Sequence, residues 1–462
     1  MVGVKKLRFS FKFLEFLRMI DIQITAAEVV GATLEGRNLD RALELGFKRH
    51  GDLPREARAA VQSIAYDSLR NYGLINAQLE TLLSAPLSDV AVRYLLIITL
   101  AQLQFSKTKA HVIVDHAVNA AEKMGLGRAK GLVNGVLRNY LREINKFKRE
   151  RFKSEVARYD FPEWWIARTK ADYPDDWEEI LLCAAEHPPM CLRVNRKKCT
   201  ADEYVALLAK NEMQVAHVEG DALWLTHPCN VDALPKFREG YVSVQDAGAQ
   251  HVAALLSCGN GMRVLDACAA PGGKTCQLLE TTSNLSLTAL DSDPTRLQRV
   301  KQNLDRLQLA SANVVLKAAD AAALDKWWDK KQFDRILLDV PCTGSGVVRR
   351  HPDIKWVRRP TDTAKFVIQQ TRLLEGVWPT LKKGGQLLYV TCSIFHEENQ
   401  DVVSAFLAKN SEAKLKPITL QSAEDGRISG VSNDPAAPKA IGVQLLPDVM
   451  TDGFYYALIE KG

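Results

Sequence analysis

The stretch RVLDACAAPGGKT, from Arg263 to Thr275, constrains this chain more than any other. Arg263 to Ala267 reads as a buried parallel strand, because a short apolar run ends in a loop carrying Pro271, Gly272 and Gly273. Glycines there let the backbone come close to a ligand. A helix is expected from about Lys274 through Cys276, Leu278 and Leu279. Strand, glycine turn and helix make a βα unit, and open α/β sheets bind ligands beyond the carboxyl ends of such strands.

The chain downstream repeats the pattern. Leu287 to Leu290 predicts a second strand, ending in Asp291 at the spacing of an acidic residue that holds ribose hydroxyls. Val314 to Leu316 predicts a third, followed by Asp320, and Phe333 to Leu338 a fourth, ending in Asp339. No GxxxxGK[ST] and no GxGxxG follows the first strand, which speaks against a triphosphate or a dinucleotide. S-adenosylmethionine fits this α/β pattern better.

DACAAPGGKT, LLDVPCTGSG from Leu337 to Gly346, and LLYVTCSI from Leu387 to Ile394 together resemble the cofactor loop and two cysteine motifs of RNA cytosine-C5 methyltransferases. The resemblance runs over nearly the whole chain from about Ile22. It implies a Rossmann-like S-adenosylmethionine-dependent methyltransferase domain, with small-subunit ribosomal RNA, free or in an early assembly particle, as substrate. By resemblance Cys392 is the nucleophile, Cys342 assists elimination, Asp339 of the DxPC motif holds the N3/N4 edge of the base, and Lys274 lines the site. The backbone of Cys268, Ala269, Ala270, Pro271, Gly272, Gly273 and Lys274 is expected to cradle the cofactor. Asp291 takes the ribose, Asp320 lies near the adenine, and Asp339 borders the methionine portion as well.

The chemistry explains why two cysteines are wanted. Cytosine C5 is too electron-poor to attack a sulfonium methyl group unaided, whereas a nucleophile added at C6 gives an enamine with electron density at C5. A thiolate suits that role, although a free thiol of pKa ~8.5 is ionised only to a few per cent at neutral pH. After methylation the C5 proton must leave before the sulfur can, so a second group must act as base. Cys183, Cys191, Cys199, Cys229, Cys258 and Cys276 read instead as small buried hydrophobes, and neither His351 nor His396 is expected to be catalytic.

The amino-terminal half reads differently. Thr25-x-x-Glu28 predicts a capping box opening a first helix that ends near Gly36. Helices are then expected at Leu39 to Phe47, Pro54 to Tyr72, Ile75 to Ser84, Ser88 to Phe105, Ala110 to Gly125 and Lys130 to Ile144. The run from Val114 to Glu143 resembles the transcription antitermination factor NusB, which implies an all-α RNA-docking module. Residues 1–160 hold 26 Lys and Arg against 17 Asp and Glu, a net of +9, whereas the remainder sums to −3. Arg138, Arg142, Lys146, Lys148, Arg149, Arg151 and Lys153 are therefore candidates for phosphate contact. Trp164, Trp165 and Trp177 in the connector that follows read as packing residues.

A small α+β unit comes next, with a strand at Leu192 to Asn195, a Thr200-x-x-Glu203 capping box and a hairpin from Gln214 to Thr226. Gly240 to Ser257 and Thr371 to Leu381 are expected to be helical, and Ser422 to Gly442 a long loop. The expected domains are a basic extension at 1–18, disordered or from an upstream start; a NusB-like domain at 19–160; a connector with an α+β RNA-binding subdomain at 161–237; and the catalytic domain at 238–462.

Nine cysteines with no CxxC pair speak against a disulfide framework or a zinc site and for a reducing cytoplasm. The most apolar run, Tyr94 to Phe105, is too short to cross a bilayer. A monomer without metal is expected. Three rival readings stay open at this level: a DNA cytosine-C5 enzyme, whose nucleophile would be the cysteine of the PC motif; a transfer RNA substrate; and a non-catalytic RNA-binding or assembly protein.

Overall fold

The computed structural model describes residues 19–51, 53–420, 428–429 and 441–462. The extension expected at 1–18 and most of the loop expected at 422–442 lie outside these residues. The chain forms two compact units, one of residues up to Glu186 together with Val348–Pro360, the other of His187–Val347 and Thr361–Gly462.

The first unit is helical. Residues 19–34 form α1, followed by α2 (Leu39–Arg49), α3 (Arg55–Arg70), α4 (Tyr72–Leu82), α5 (Val90–Phe105), α6 (Ala110–Lys123), α7 (Lys130–Arg142), α8 (Glu155–Tyr159), α9 (Glu163–Asp172) and α10 (Trp177–Ala185). The expected capping box at Thr25 is not formed. Thr25 is buried inside α1 and its hydroxyl donates to the Asp21 carbonyl, so apolar packing carries the helix through the S/T-x-x-E pattern. Asn38 and Asp89 cap α2 and α5 instead, accepting from the Arg41 and Ala91 amides. Helix α5 is apolar on nearly every side, with Leu95 to Ala101 buried, and is the centre of this core.

Residues 348–360 complete that core. The Trp356 indole donates to the Leu69 carbonyl at 2.7 Å and packs edge-on to Tyr72, while Asp353 accepts from the Leu39 amide at 3.1 Å. Lys355 is buried, donating to the Arg70 carbonyl at 2.9 Å with its Nζ 4.5 Å from the Phe161 ring. Burial drives its pKa down to about 7, which Asp160 only partly opposes.

The second unit begins with a small antiparallel sheet in the order β2-β3-β1-β4, formed by β1 (Cys191–Val194), β2 (Val215–Glu219), β3 (Ala222–Leu225) and β4 (Val242–Val244), with α11 (Ala201–Lys210) between β1 and β2. The Thr200–Glu203 capping box is present. The helix expected from Gly240 does not begin there: Val242–Val244 pairs with β1, and α12 (Ala247–Leu256) starts only where Asp246 caps it.

The large sheet runs β11-β12-β13-β9-β8-β5-β6-β7, with β10 also on β13. Its strands are β5 (Arg263–Asp266), β6 (Ser286–Asp291), β7 (Val314–Ala318), β8 (Phe333–Asp339), β9 (Leu381–Thr391), β10 (Ala413–Lys416), β11 (Ile428–Ser429), β12 (Val443–Leu445) and β13 (Phe454–Lys461). β5 to β9 pair in parallel, and β10 to β13 add antiparallel. Alternate residues serve two cores: Val264, Leu337, Leu388 and Val390 face α12, α13 (Gly273–Thr281) and α14 (Pro294–Leu307), whereas Leu265, Ile336, Leu338 and Tyr389 face α15 (Asp362–Val377) and α16 (Gln400–Lys409). Residues 381–385, expected to end a helix and turn, already belong to the long strand β9. The chain leaves β5 toward β7 and returns at β8, so a topological switch point lies between β5 and β8.

Candidate active site

The carboxyl ends of β5, β6, β8 and β9 collect most of the residues singled out from the sequence. Loop 267–272 is fixed by its own backbone: the Ala269 amide donates to the Leu290 carbonyl at 2.7 Å, and the Ala270 amide to the Asp291 carboxylate at 3.2 Å. Arg296 and Asn303 from α14 donate to the Ala270 and Pro271 carbonyls, each at 3.0 Å. The Ala270–Pro271 peptide is cis, and Gly272 opens α13 at φ +100°, where a Cβ would also meet the Val300 backbone at 3.0 Å. Cys268 belongs to this loop, its thiol pushed well up by burial.

Asp291 ends β6, is 4% exposed, and also accepts from the Asp293 amide at 3.0 Å. Asp320 follows β7 and is engaged by Arg372 at 2.8 Å; burial would raise its pKa, but the Arg372 and Ala322 hydrogen bonds bring it below the usual value. Asp266, at the end of β5, accepts from the Thr275 hydroxyl at 2.6 Å, and burial pushes it up to about 7.

Lys274, in the first turn of α13, donates to Asp339 at 2.8 Å. Burial acts to lower the Lys274 pKa, yet Asp339, Cys392 and Asp266 together raise it, so the ammonium stays charged. Cys342 and Cys392, just beyond the neighbouring strands β8 and β9, bring their sulfurs to 3.3 Å. The hydrogen bond with Cys392 and burial hold the Cys342 thiol well above its ordinary pKa.

The close approach of the loop after β8 to the residue before β13 requires glycine. A Cβ on Gly346 would stand 2.2 Å from the Gly453 carbonyl oxygen, and the Gly346 amide donates to the Cys392 carbonyl at 2.9 Å. The arrangement can therefore present a thiol pair, a carboxylate and an ammonium at one edge, beside an acidic, backbone-lined cradle. A separate groove of about 900 Å³ lies between the β2–β3 hairpin and α12, lined by His217, Trp224, Gln250 and His251; none of the expected site residues borders it.

Two groups at this edge escaped the sequence reading. Arg193 of β1 is 2% exposed, pairs with Glu280 at 2.9 Å, and donates to the Gly273 carbonyl at 2.8 Å, so the small sheet braces the glycine loop. Glu398, two residues before α16, is fully buried against both cysteine loops. Neither is visible as a pattern, because Glu280 and Gly273 are distant in the chain from Arg193, and Thr343 and Gln370 from Glu398. Arg149, a candidate for phosphate contact, is instead tied to the Ala157 and Arg158 carbonyls and to Asp160; Arg138, Arg142, Lys146, Lys148, Arg151 and Lys153 remain exposed.

Three family models match the chain: 16S rRNA methyltransferase RsmB/F over residues 253–460, the ferredoxin-like domain of RsmF/B-like methyltransferases over 161–232, and the NusB family over 16–142. The ribosomal RNA small subunit methyltransferase B of Shewanella oneidensis is 41% identical over 87% of this chain and 91% of its own length. Those of Vibrio cholerae and Pseudomonas syringae pv. tomato are also 41% identical, over 96% and 95% of this chain and 98% and 96% of theirs. The crystal structure of PH0851 matches with a TM-score of 0.76 at 26% identity, covering 96% of this chain and 99% of that one. A methyltransferase homologue from Pyrococcus horikoshii gives 0.56 at 30% identity, covering 66% and 97%.

Proposed function

Because the chain belongs to the 16S rRNA methyltransferase RsmB/F family, we propose that its thiol pair methylates C5 of a specific small-subunit rRNA cytosine through a covalent Cys392–C6 adduct. The enzyme is S-adenosylmethionine-dependent, as its family is. The observation that carries the covalent reading is the 3.3 Å approach of Cys342 and Cys392 beside the Lys274–Asp339 ion pair.

The residues present fit the cofactor. A nearly buried Asp291 at the end of β6 offers acceptors for ribose hydroxyls, the glycine turn lets the backbone approach, and Asp320, just after the next strand, is assigned to the adenine. Asp339, at the end of β8, is assigned both to the methionine portion and to the base edge. When bound, S-adenosylmethionine supplies an electrophilic methyl group.

The chain's own groups do the rest. Cys392 Sγ, as the thiolate, adds to C6 of the cytosine, the electron pair moves to C5, and that carbon takes the methyl group as the sulfonium S–CH3 bond breaks to leave a neutral thioether. Asp339 holds the N3/N4 edge, and Lys274 keeps positive charge beside the anionic groups. Adduct formation removes the Cys392 hydrogen bond, the first cause of the raised Cys342 pKa, leaving Cys342 better able to ionise and take the C5 proton. Loss of that proton restores the C5–C6 double bond and expels Cys392.

The exposed bases from Arg138 to Lys153 are assigned to RNA phosphates. The reading includes a cytoplasmic monomer acting on free rRNA or an early assembly particle. Among the described residues no helix is long and apolar enough to cross a membrane. Bisulfite sequencing of total RNA from cells with and without the protein tests the function. One small-subunit cytosine should lose its modification; loss at a transfer RNA site, or at none, overturns the proposal.

A further inference from the structure

Glu398 is 0% exposed, and neutral donors from the two cysteine loops and α15 surround its carboxylate. Oε1 accepts from the Thr343 amide at 2.8 Å and from Gln370 Nε2 at 3.0 Å; Oε2 accepts from the Thr343 hydroxyl at 2.5 Å and the Ser393 hydroxyl at 2.6 Å. Thr343 directly follows Cys342, and Ser393 directly follows Cys392. Burial raises the Glu398 pKa, and these hydrogen bonds oppose the rise.

The grip extends outward. Gln370 Nε2 also donates to the Pro341 carbonyl at 2.9 Å, and the Ser345 hydroxyl lies 2.8 Å from that of Ser393 while accepting from the Ile394 amide at 2.8 Å. The Tyr389 hydroxyl holds the Glu398 backbone carbonyl at 2.8 Å. A single carboxylate thus binds the residue after each cysteine.

We propose that Glu398 is a positioning residue for methyl transfer, setting the separation of Cys342 and Cys392 by fastening both of their loops. The inference rests on the two-cysteine reading above. A loop released from this carboxylate keeps its backbone pairing to the sheet but no longer holds its thiol against the other. Addition and elimination need both sulfurs at one cytosine, so a displacement of about 1 Å costs up to about a hundredfold in rate. The carboxylate suits the role because its two oxygens accept only, and every partner here can donate.

The test compares full-length Glu398→Ala, Glu398→Gln and Thr343→Val with the parent. Thr343→Val keeps the amide donor and the side-chain shape but removes the hydroxyl. One readout is kcat and KM for methyl transfer. The other is the rate at which a diazene oxidant joins Cys342 to Cys392, scored as the linked peptide by mass spectrometry; the thiols lose two electrons and two protons, and the diazene is reduced to the hydrazine. Glu398→Ala and Thr343→Val should lower kcat by about tenfold or more, change KM for S-adenosylmethionine by less than about twofold, and slow cross-linking in parallel. Glu398→Gln, whose amide oxygen still accepts from Thr343 and Gln370, should recover most of both rates. If Glu398→Ala fails to fold, Thr343→Val decides. Parental kcat in Thr343→Val, or a lowered kcat with parental cross-linking, overturns the proposal. The two-cysteine reading fails separately, through turnover by Cys392→Ala.

Discussion

Lys274 Nζ lies 2.8 Å from Asp339 Oδ2, so the helix that opens on the glycine turn is tied to the strand that ends in the DxPC motif. With the lysine side chain 15% exposed and the aspartate 27%, the pair is sheltered enough for its charges to matter, though not dry. Lys274→Met should lower single-turnover methyl transfer by about a hundredfold, since it removes a fixed positive charge beside the reacting groups. The raised Lys274 pKa adds a second expectation: it stays charged across neutral pH and contributes no break to the activity profile there. A variant within about threefold of the parent would make the pair structural only.

The two cysteines should fail in different ways. Cys392→Ala removes the nucleophile, so neither methylation nor a protein–RNA bond should form. Cys342→Ala can still add and methylate but cannot complete elimination at speed, so a covalent complex should accumulate. Denaturing gel electrophoresis with labelled RNA and cofactor reads this directly. An adduct in Cys392→Ala in place of Cys342→Ala would reverse the assignment.

Asp291→Ala should weaken S-adenosylmethionine by about tenfold to a hundredfold through lost charge-assisted hydrogen bonds to the ribose, leaving RNA affinity within about twofold. Because Asp291 also accepts from the Ala270 and Asp293 amides, part of the loss should appear as a loosened loop. Calorimetry with each ligand separates the two affinities. Unchanged cofactor binding would place the pocket elsewhere.

Lys355 gives a stability prediction with a definite sign. Its pKa falls from 10.5 to about 7 on burial, so between those values the unfolded chain binds the extra proton and the folded chain does not. Stability contributed through this group therefore rises with pH from about 7 and is lost as pH falls back through that range. Lys355→Met should flatten this dependence. Thermal midpoints of parent and variant between pH 7 and 9.5 provide the measurement, and identical slopes would refute the buried, neutral lysine.

What was legible in the sequence follows from how local each signal is. The βα turn at Arg263–Thr275, the acidic strand ends and the two cysteine motifs are written in consecutive residues, and the sheet brings most of them to one edge. Thr200 and Glu203 cap a helix as their spacing says, whereas the same spacing at Thr25 and Glu28 does not, because the helix there is carried by burial. The strand Val242–Val244 was missed because three residues make no period, and its identity depends on β1, far away in the chain. Glu398 and Arg193 were missed for a related reason: a buried charge looks like any surface charge until its partners are known.

The segment Val348–Pro360 fixes an order of events during synthesis. A chain leaving the ribosome ordinarily folds its amino-terminal domain first. Here the helical unit lacks Trp356, Lys355 and Asp353 until the ribosome has passed β8 of the methyltransferase sheet. Until then Leu69, Tyr72 and the Phe161 ring wait without their final neighbours, and a gene cut after Glu186 encodes a fragment whose core is never finished. The nascent protein must therefore hold an incomplete first unit through much of its own translation, which makes that interval its greatest exposure to aggregation and to proteases.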